Sequence, residues 1–338
     1  MKNERILVAK KGDPSAMKFV SDDVGPPRDT EILIRVRAAG VSFADALVRS
    51  GIYPGVKFPV TPGYDVVGEV EDVGAEVRDF RRGDRVAAMT ITGGYTRYFC
   101  VPAKHAVHVP DGLEPGAAVS LVLNYLTAYQ MLKRCTHAAA GDPILVHGAA
   151  GGVGTALLQL AKVEKLKAFG TASAGKLQLV ERLGGVPIDY AKEDFVGRVR
   201  RDTPDGVEAA FDFVAGSHAR RSYEALRSTG ILVCYGVQGA TRNGRIDLVR
   251  ALLTFLGDPS FKPMALLGTN KGCVGYNAPR WRDARPAMYA EDLATLFGML
   301  GGGQIAPVIG ARFPLEKAAD AHVLLNRNGA TGKMVLDC

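Results

Sequence analysis

The chain has 338 residues, 47% of them hydrophobic, enough to bury a large core and long enough to divide into two domains. The formal net charge of +7 is spread among acids, and the longest basic cluster, 198–201, is broken by a valine, which argues against a nucleic-acid surface. No apolar run approaches the ~18 residues of a membrane span, MKNERILVAKK is a short strand-like stretch between charges rather than a signal peptide, and five cysteines without CxxC spacing (Cys100, Cys135, Cys234, Cys273, Cys338) fit a reducing cytoplasm better than a disulfide framework or a metal site.

Up to about residue 120 the apolar runs are short and punctuated by Gly, Pro and Asp: 31–36, which alternates, then 66–70, 85–89 and 95–101. This texture predicts a β-rich, barrel-like domain. From about residue 141 strands and helices alternate. Strands are predicted at 143–146, 167–170, 186–189, 207–214 and 230–236, and helices at 153–163, 175–183, 195–201 and 218–226. Such alternation predicts an α/β fold with a parallel sheet wound by right-handed crossovers. The segment 242–281 offers an apolar helix, a Gly- and Pro-broken stretch and an edge strand over 269–277. Exposed apolar surface there suits either a subunit contact or a hydrophobic substrate mouth. After residue 306 a capped helix and one final strand are expected to return to the first domain.

Between a predicted strand and helix lies VHGAAGGVG, 146–154. Set against GxGxxG it reads Ala149, Ala150, Gly151, Gly152, Val153, Gly154, with Ala149 in place of the first glycine. Gly151 lets backbone approach a pyrophosphate and Gly154 lets the helix pack on the sheet, while the helix N-terminus turns free N–H groups and a positive dipole end toward phosphates. A tight turn without ligand is the plainer alternative; the flanking strand and helix favour a dinucleotide. An NAD site usually places an acid ~20 residues beyond the motif. Here the next strand ends in GTASAGK and no acid occurs before Glu181. Ser173 and Lys176 are placed to bond and neutralise a 2′-phosphate, so the expected cofactor is NADPH. The alternative for Lys176 is an exposed residue of a first helical turn, where the dipole slightly disfavours it.

Six stretches together, AAGVSFADALVRSGIYP (38–54), PVTPGYDVVGEVEDVG (59–74), GDRVA (83–87), LTAY (126–129), HGAAGGVG (147–154) and NGATGKMVL (328–336), resemble the medium-chain dehydrogenase/reductase superfamily. Within it they are similar to the zinc-free quinone oxidoreductase and enoyl reductase branch. The resemblance implies a GroES-like catalytic domain from 1–122 and 305–338, a Rossmann domain over 123–304 with a doubly wound parallel sheet, and a homodimer joined through Rossmann edge strands. The superfamily's zinc alcohol dehydrogenases take catalytic ligands where this chain has Ser42, Tyr64 and Leu123. Those three side chains cannot form the N/S ligand set of a catalytic zinc, and the four-cysteine structural zinc lobe is missing too. Without a Lewis acid on the alcohol oxygen, alcohol dehydrogenation is disfavoured.

What the resemblance implies instead is hydride transfer from NADPH to a quinone or to the β-carbon of an activated C=C bond. Tyr53 matches a tyrosine that related reductases hold near the substrate, and a phenol of pKa ~10 is a proton donor at neutral pH. The alternatives are a tyrosine packed under a loop, and protonation by water. Ser42 stands where the branch often has Asn. Asp45 is either a cap or a catalytic group, and Tyr64 and Asn124 are expected to line the substrate site. Thr127 is expected at the nicotinamide, Tyr190 near the adenosine phosphate, and Val237 beyond a strand end where ligands of open α/β sheets gather. With Ala150, Gly151, Gly152, Val153, Gly154, Ser173 and Lys176 they make up the expected NADPH site. The six histidines read as core or surface, with no metal. Two classes of function stay open. One is an NADPH-dependent reductase of a small quinone or enone, including trans-acting enoyl reductases of acyl-linked polyketide or fatty acyl intermediates. The other is a non-catalytic NADPH-binding protein, crystallin-like, vesicle-associated or RNA-binding; the last is disfavoured by the absence of an aromatic-basic cluster. Neither nucleic acid nor membrane is expected as a partner, and the cytoplasm is the expected compartment.

Overall fold

The strand Glu31–Val41 organises the first of two units, Met1–Leu126 with Ala278–Cys338, in a computed structural model that describes residues 1–242, 245–327 and 329–338. Asn328, which opens the closing motif, lies outside the described residues, as do Asn243 and Gly244 of the segment 242–281. Alternate residues Ile32, Ile34 and Val36 enter the core, where they meet Val66, Val70, Val86, Tyr95, Met334 and Leu336. The seven-stranded sheet runs Ile309–Pro314, Lys333–Asp337, Glu31–Val41, Asp65–Val73, Arg85–Met89 and Ala106–His108, with Tyr98–Pro102 also paired to Glu31–Val41. Its pairs are antiparallel except the first, where Phe313 lies opposite Leu336. Lys333–Asp337 pairs with Glu31–Val41 in a register that sets Met334 opposite Val41 and Leu336 opposite Ala39. The end of the chain is thereby fixed beside the residues that lead into Ser42.

Two features of this unit depart from the sequence-based expectation. The strand Ile309–Pro314 was not predicted, its few apolar side chains being only half-buried. Residues 278–304, assigned above to the Rossmann domain, fall in the first unit. The helices Ala278–Ala284 and Pro286–Gly301 are tied there by hydrogen bonds to one residue: the Met89 N–H donates to the Tyr289 hydroxyl and Arg282 donates to the Met89 carbonyl.

The second unit, Thr127–Arg242 with Ile246–Asn277, holds six parallel strands. Across the sheet they run Val186–Asp189, Lys167–Ala172, Pro143–Val146, Val207–Asp212, Leu226–Cys234 and Gly272–Gly275. In chain order this is 3-2-1-4-5-6, the doubly wound Rossmann arrangement, whose crossovers reverse direction between Pro143–Val146 and Val207–Asp212. The inner strands are buried on both faces, Val207–Asp212 throughout, and Leu145, Phe169, Ile188, Ala210 and Leu232 form the centre. The strand expected at 230–236 begins earlier, at Leu226, and ends at Cys234. The helices Leu248–Gly257 and Pro263–Thr269 bury no residue, leaving Leu248, Phe255, Met264 and Leu267 at least three-quarters exposed. Among the described residues no helix is long and apolar enough to cross a membrane.

Candidate functional site

The glycine stretch lies where the first strand of the parallel sheet, Pro143–Val146, gives way to the helix Gly152–Val163. Gly148 has φ +59, and a Cβ added there would stand 2.7 Å from the Phe213 ring. The tight-turn duty expected of the first motif glycine therefore falls on Gly148, one residue before the position aligned above. Ala149 is fully buried and its N–H donates to the Thr171 carbonyl at 2.9 Å, which is why alanine serves there. Gly151 caps the helix without a side chain over the first turn, and a Cβ at Gly154 would overlap the Gly148 carbonyl. The backbone from Gly148 to Gly154 is thus bare at the point where the sheet reverses. A bare turn at a helix N-terminus fits a pyrophosphate.

Around this turn, Ser173 follows the second strand and precedes the short helical turn Ala174–Lys176 without capping it by its side chain. Both Ser173 and Lys176 are half-buried, and burial lowers the Lys176 pKa. Asp189, an acid given no role by sequence reasoning, closes the neighbouring strand, but it is buried and accepts from the Ala191 N–H at 3.1 Å. Tyr190 and Val237 are 60% and 50% exposed, as residues beyond strand ends can be. Thr127, in the first turn of the helix Leu126–Cys135, is buried.

In the first unit, Ser42 and Asp45 form a capping box at the helix Phe43–Arg49. One Asp45 carboxylate oxygen accepts from the Ser42 N–H at 2.9 Å and the Ser42 hydroxyl at 2.6 Å; the other accepts from the Gly63 N–H at 2.9 Å. Burial pushes this carboxyl up to about 6, against the pull of the Ser42 bond. Asp45 is therefore the hub that joins the Ser42 and Gly63 segments, and the Ser42 hydroxyl is committed to it.

Tyr64, next to Gly63, is buried, and its hydroxyl lies 2.7 Å from that of Tyr53. The rings meet edge to face, their centroids 5.8 Å apart. Burial, reinforced by Tyr53, raises the Tyr64 pKa, so this phenol stays protonated. Asp65 and Lys333 form an ion pair of 2.6 Å, both at most 2% exposed, and Lys333 also reaches Asn124 at 3.5 Å. Burial raises the Asp65 pKa and the Lys333 ammonium opposes it. Asn124 sits in the π-helical turn Leu121–Tyr125, a local widening of the helical segment 115–135 that frequently marks functional positions. The structure thus brings Tyr53 to Tyr64 and Asn124 to Lys333. Tyr53 with Tyr64 and Asp65 with Lys333 were not paired by sequence reasoning, since they lie 11 and 268 residues apart and carry no spacing signal.

Ser42, Tyr64 and Leu123 offer a hydroxyl already bonded to Asp45, a phenol held in its protonated form and a hydrocarbon. That donor set does not fit zinc. A different group does lie within ligand distance. His147, Asp212 and His218, read above as core or surface histidines without a metal pattern, have ligand atoms all within 4.8 Å of one another. His147 bonds Thr171 and Ser222, and His218 donates to Asp212 at 2.6 Å.

Residues 28–111 match the alcohol dehydrogenase GroES-like domain family and residues 184–336 the zinc-binding dehydrogenase family. The chain is 31% identical to the synaptic vesicle membrane protein VAT-1 homolog of Danio rerio, over 98% of this chain and 66% of that protein. It is 30% identical to the quinone oxidoreductase of Homo sapiens, over 98% of this chain and 96% of that protein. The structure of Escherichia coli quinone oxidoreductase complexed with NADPH superposes with a TM-score of 0.88 at 26% identity, covering 99% of this chain and 100% of that one.

Proposed function

This chain belongs to the medium-chain dehydrogenase/reductase superfamily, and from that premise we propose that it is an NADPH-dependent oxidoreductase acting, without zinc, on a quinone or on the C=C bond of an α,β-unsaturated carbonyl compound. The observation that carries this reading is the Tyr53–Tyr64 hydroxyl pair, in which Tyr64 occupies a sequence position that the resemblance gives to a zinc ligand in the alcohol dehydrogenases. When bound, NADPH supplies a hydride. The bare turn from Gly148 to Gly154, with Ala150, Gly151, Gly152 and Val153, receives its pyrophosphate; Ser173 and Lys176 take the 2′-phosphate, with Tyr190, Val237 and Thr127 along the remainder. Tyr53 binds the substrate carbonyl oxygen and gives it a proton as negative charge develops there. Tyr64 donates to the Tyr53 oxygen, so the phenolate left behind is stabilised. Ser42, Tyr64 and Asn124 bound the substrate, and Asp45 positions the Ser42 and Gly63 segments.

The catalytic and cofactor-binding parts correspond in this reading to the two units, and two copies join through the edge strand Gly272–Gly275 and the exposed helices Leu248–Gly257 and Pro263–Thr269. A helix that turns an apolar face of Leu248, Leu252, Phe255 and Leu256 to solvent, as Leu248–Gly257 does, needs a cover. The protein is taken to work in a reducing compartment. NADPH and NADH oxidation measured side by side with 1,4-benzoquinone, 9,10-phenanthrenequinone and a short enone, on protein assayed for zinc, tests the proposal. NADPH-selective turnover without stoichiometric zinc is expected. Tight NADPH binding with no turnover of any acceptor would mean a non-catalytic binding protein instead.

A further inference from the structure

Beneath the glycine turn, polar side chains at the ends of three parallel strands and on one helix form a single file. Thr171 and Asp212 belong to the C-terminal ends of the second and fourth strands of the sheet, His147 directly follows the first, and Ser222 and His218 belong to the helix Ser217–Glu224. All but the half-exposed His218 are buried. The direction of each hydrogen bond follows from its partners. Ser222 Oγ has one proton and faces two pure acceptors, Asp212 Oδ2 at 2.7 Å and the His218 carbonyl at 3.0 Å, so it must accept from His147 Nε2 at 3.0 Å. His147 then carries its proton on Nε2, and Nδ1 accepts from the Thr171 hydroxyl at 3.1 Å. Burial keeps this imidazole neutral, its pKa lowered to about 3. Thr171 Oγ1 in turn accepts from the Gly148 N–H at 3.3 Å, while its carbonyl holds the Ala149 N–H.

The file ends on a fixed anion. Asp212 accepts four hydrogen bonds: Ser222 and His218 on Oδ2, and the N–H groups of Val214 and Ala215 on Oδ1 at 2.8 and 2.9 Å. Burial alone would raise its pKa, but the His218 bond holds it below the usual carboxylate range. This also decides against a metal among His147, Asp212 and His218. Both His147 nitrogens and both Asp212 oxygens already have partners, so a cation would have to break the file to bind.

We infer that Thr171, His147 and Ser222 are positioning residues that tie the glycine turn to Asp212 and so hold the Gly148 and Ala149 backbone in the shape a dinucleotide pyrophosphate requires. The inference rests on the NADPH reading above. Links that all point the same way polarise one another, and Gly148, at φ +59, is where the turn is easiest to lose.

Thr171→Val keeps the shape and removes the hydroxyl; Thr171→Ser restores it; Ser222→Ala cuts the file two links away. Binding of NADPH and NADH is measured by quenching of protein fluorescence, and amide hydrogen exchange of the 147–151 segment is followed in cofactor-free protein. Thr171→Val and Ser222→Ala should weaken both dinucleotides by about five- to twentyfold, the range of one lost buried hydrogen bond, and speed exchange at Gly148 and Ala149. Thr171→Ser should stay within about twofold of wild type in both readouts. Unchanged affinity and exchange in Thr171→Val would overturn the inference, as would a Thr171→Ser variant as impaired as the valine. Wild-type protein that binds neither dinucleotide would sink the cofactor reading, and the exchange data would still decide whether the file holds the turn.

Discussion

The hydroxyl oxygens of Tyr53 and Tyr64 lie 2.7 Å apart, with Tyr64 buried and Tyr53 half-exposed. Only one proton can sit between them, and burial keeps Tyr64 protonated, so the arrangement in which Tyr64 donates leaves the Tyr53 proton free to meet a substrate oxygen. Tyr53→Phe should lower kcat by about 10² or more, the usual contribution of a positioned acid. Tyr64→Phe should cost about tenfold, because it removes support from the phenolate but not the acid itself. Steady-state kinetics with the best acceptor from the quinone and enone panel checks both. Equal losses in the two variants would indicate that the pair packs rather than transfers a proton.

Asp45 makes a pH prediction whose sign is fixed by burial. Its carboxyl is raised to about 6 from an unfolded value of 3.8, so its contribution to stability is complete below about pH 4 and lost as pH rises through 6. His147 and His322, both lowered to about 3 by burial, act in the opposite direction, favouring the fold more as pH rises toward 6.5. Comparison with Asp45→Asn isolates the carboxyl, since both proteins keep the histidines. The stability of wild type relative to the variant, from guanidinium unfolding, should fall by roughly 3 kcal/mol between pH 4 and pH 7. A difference independent of pH would show that folding leaves the Asp45 pKa at its unfolded value.

The parallel sheet was legible in the sequence because short strand-like stretches alternate with helical ones, and its inner strands, such as Val207–Asp212, are buried on both faces. VHGAAGGVG announced its turn because a ligand-approaching backbone leaves a sequence poor in side chains. What was not legible depended on long-range pairing. Nothing in the string marks Lys333 as the partner of Asp65, because the register of Lys333–Asp337 on Glu31–Val41 brings them together from 268 residues apart. The offset of one residue in the glycine motif, from Ala149 to Gly148, is a matter of backbone torsion. The histidine file escaped notice because His147, Asp212 and His218 sit on separate elements, and a buried histidine looks the same in sequence whether or not it is part of a network.

Lys333 and Asp65 form a buried pair whose two halves are unequal. Asp65 Oδ2 has the ammonium, whereas Oδ1 has no hydrogen-bond partner among the described residues. Lys333→Met would leave an unpaired carboxylate in the core and should cost about 3–5 kcal/mol, whereas Lys333→Met combined with Asp65→Leu should recover most of that loss. Guanidinium unfolding of the two variants tests the point. A double variant no more stable than the single one would mean that the site demands polar occupants, for example through the Asn124 contact.

Specificity for the phosphorylated cofactor provides the last test, and it rests on Lys176. The side chain is half-buried, so its charge is partly desolvated, and no acid occurs between the end of the second strand and Glu181 to repel a 2′-phosphate. A charge-assisted hydrogen bond to phosphate contributes about 1.5–3 kcal/mol when shielded, and less in this partly solvated position. Lys176→Ala should therefore weaken NADPH by about tenfold and leave NADH within about twofold, with the NADPH effect shrinking at 0.5 M salt as screening shortens the reach of the charge. This pattern separates Lys176 from the Thr171 variants, which act on the pyrophosphate turn shared by both dinucleotides and should weaken them alike. Equal weakening of NADPH and NADH by Lys176→Ala would move Lys176 from the 2′-phosphate to the pyrophosphate or the fold.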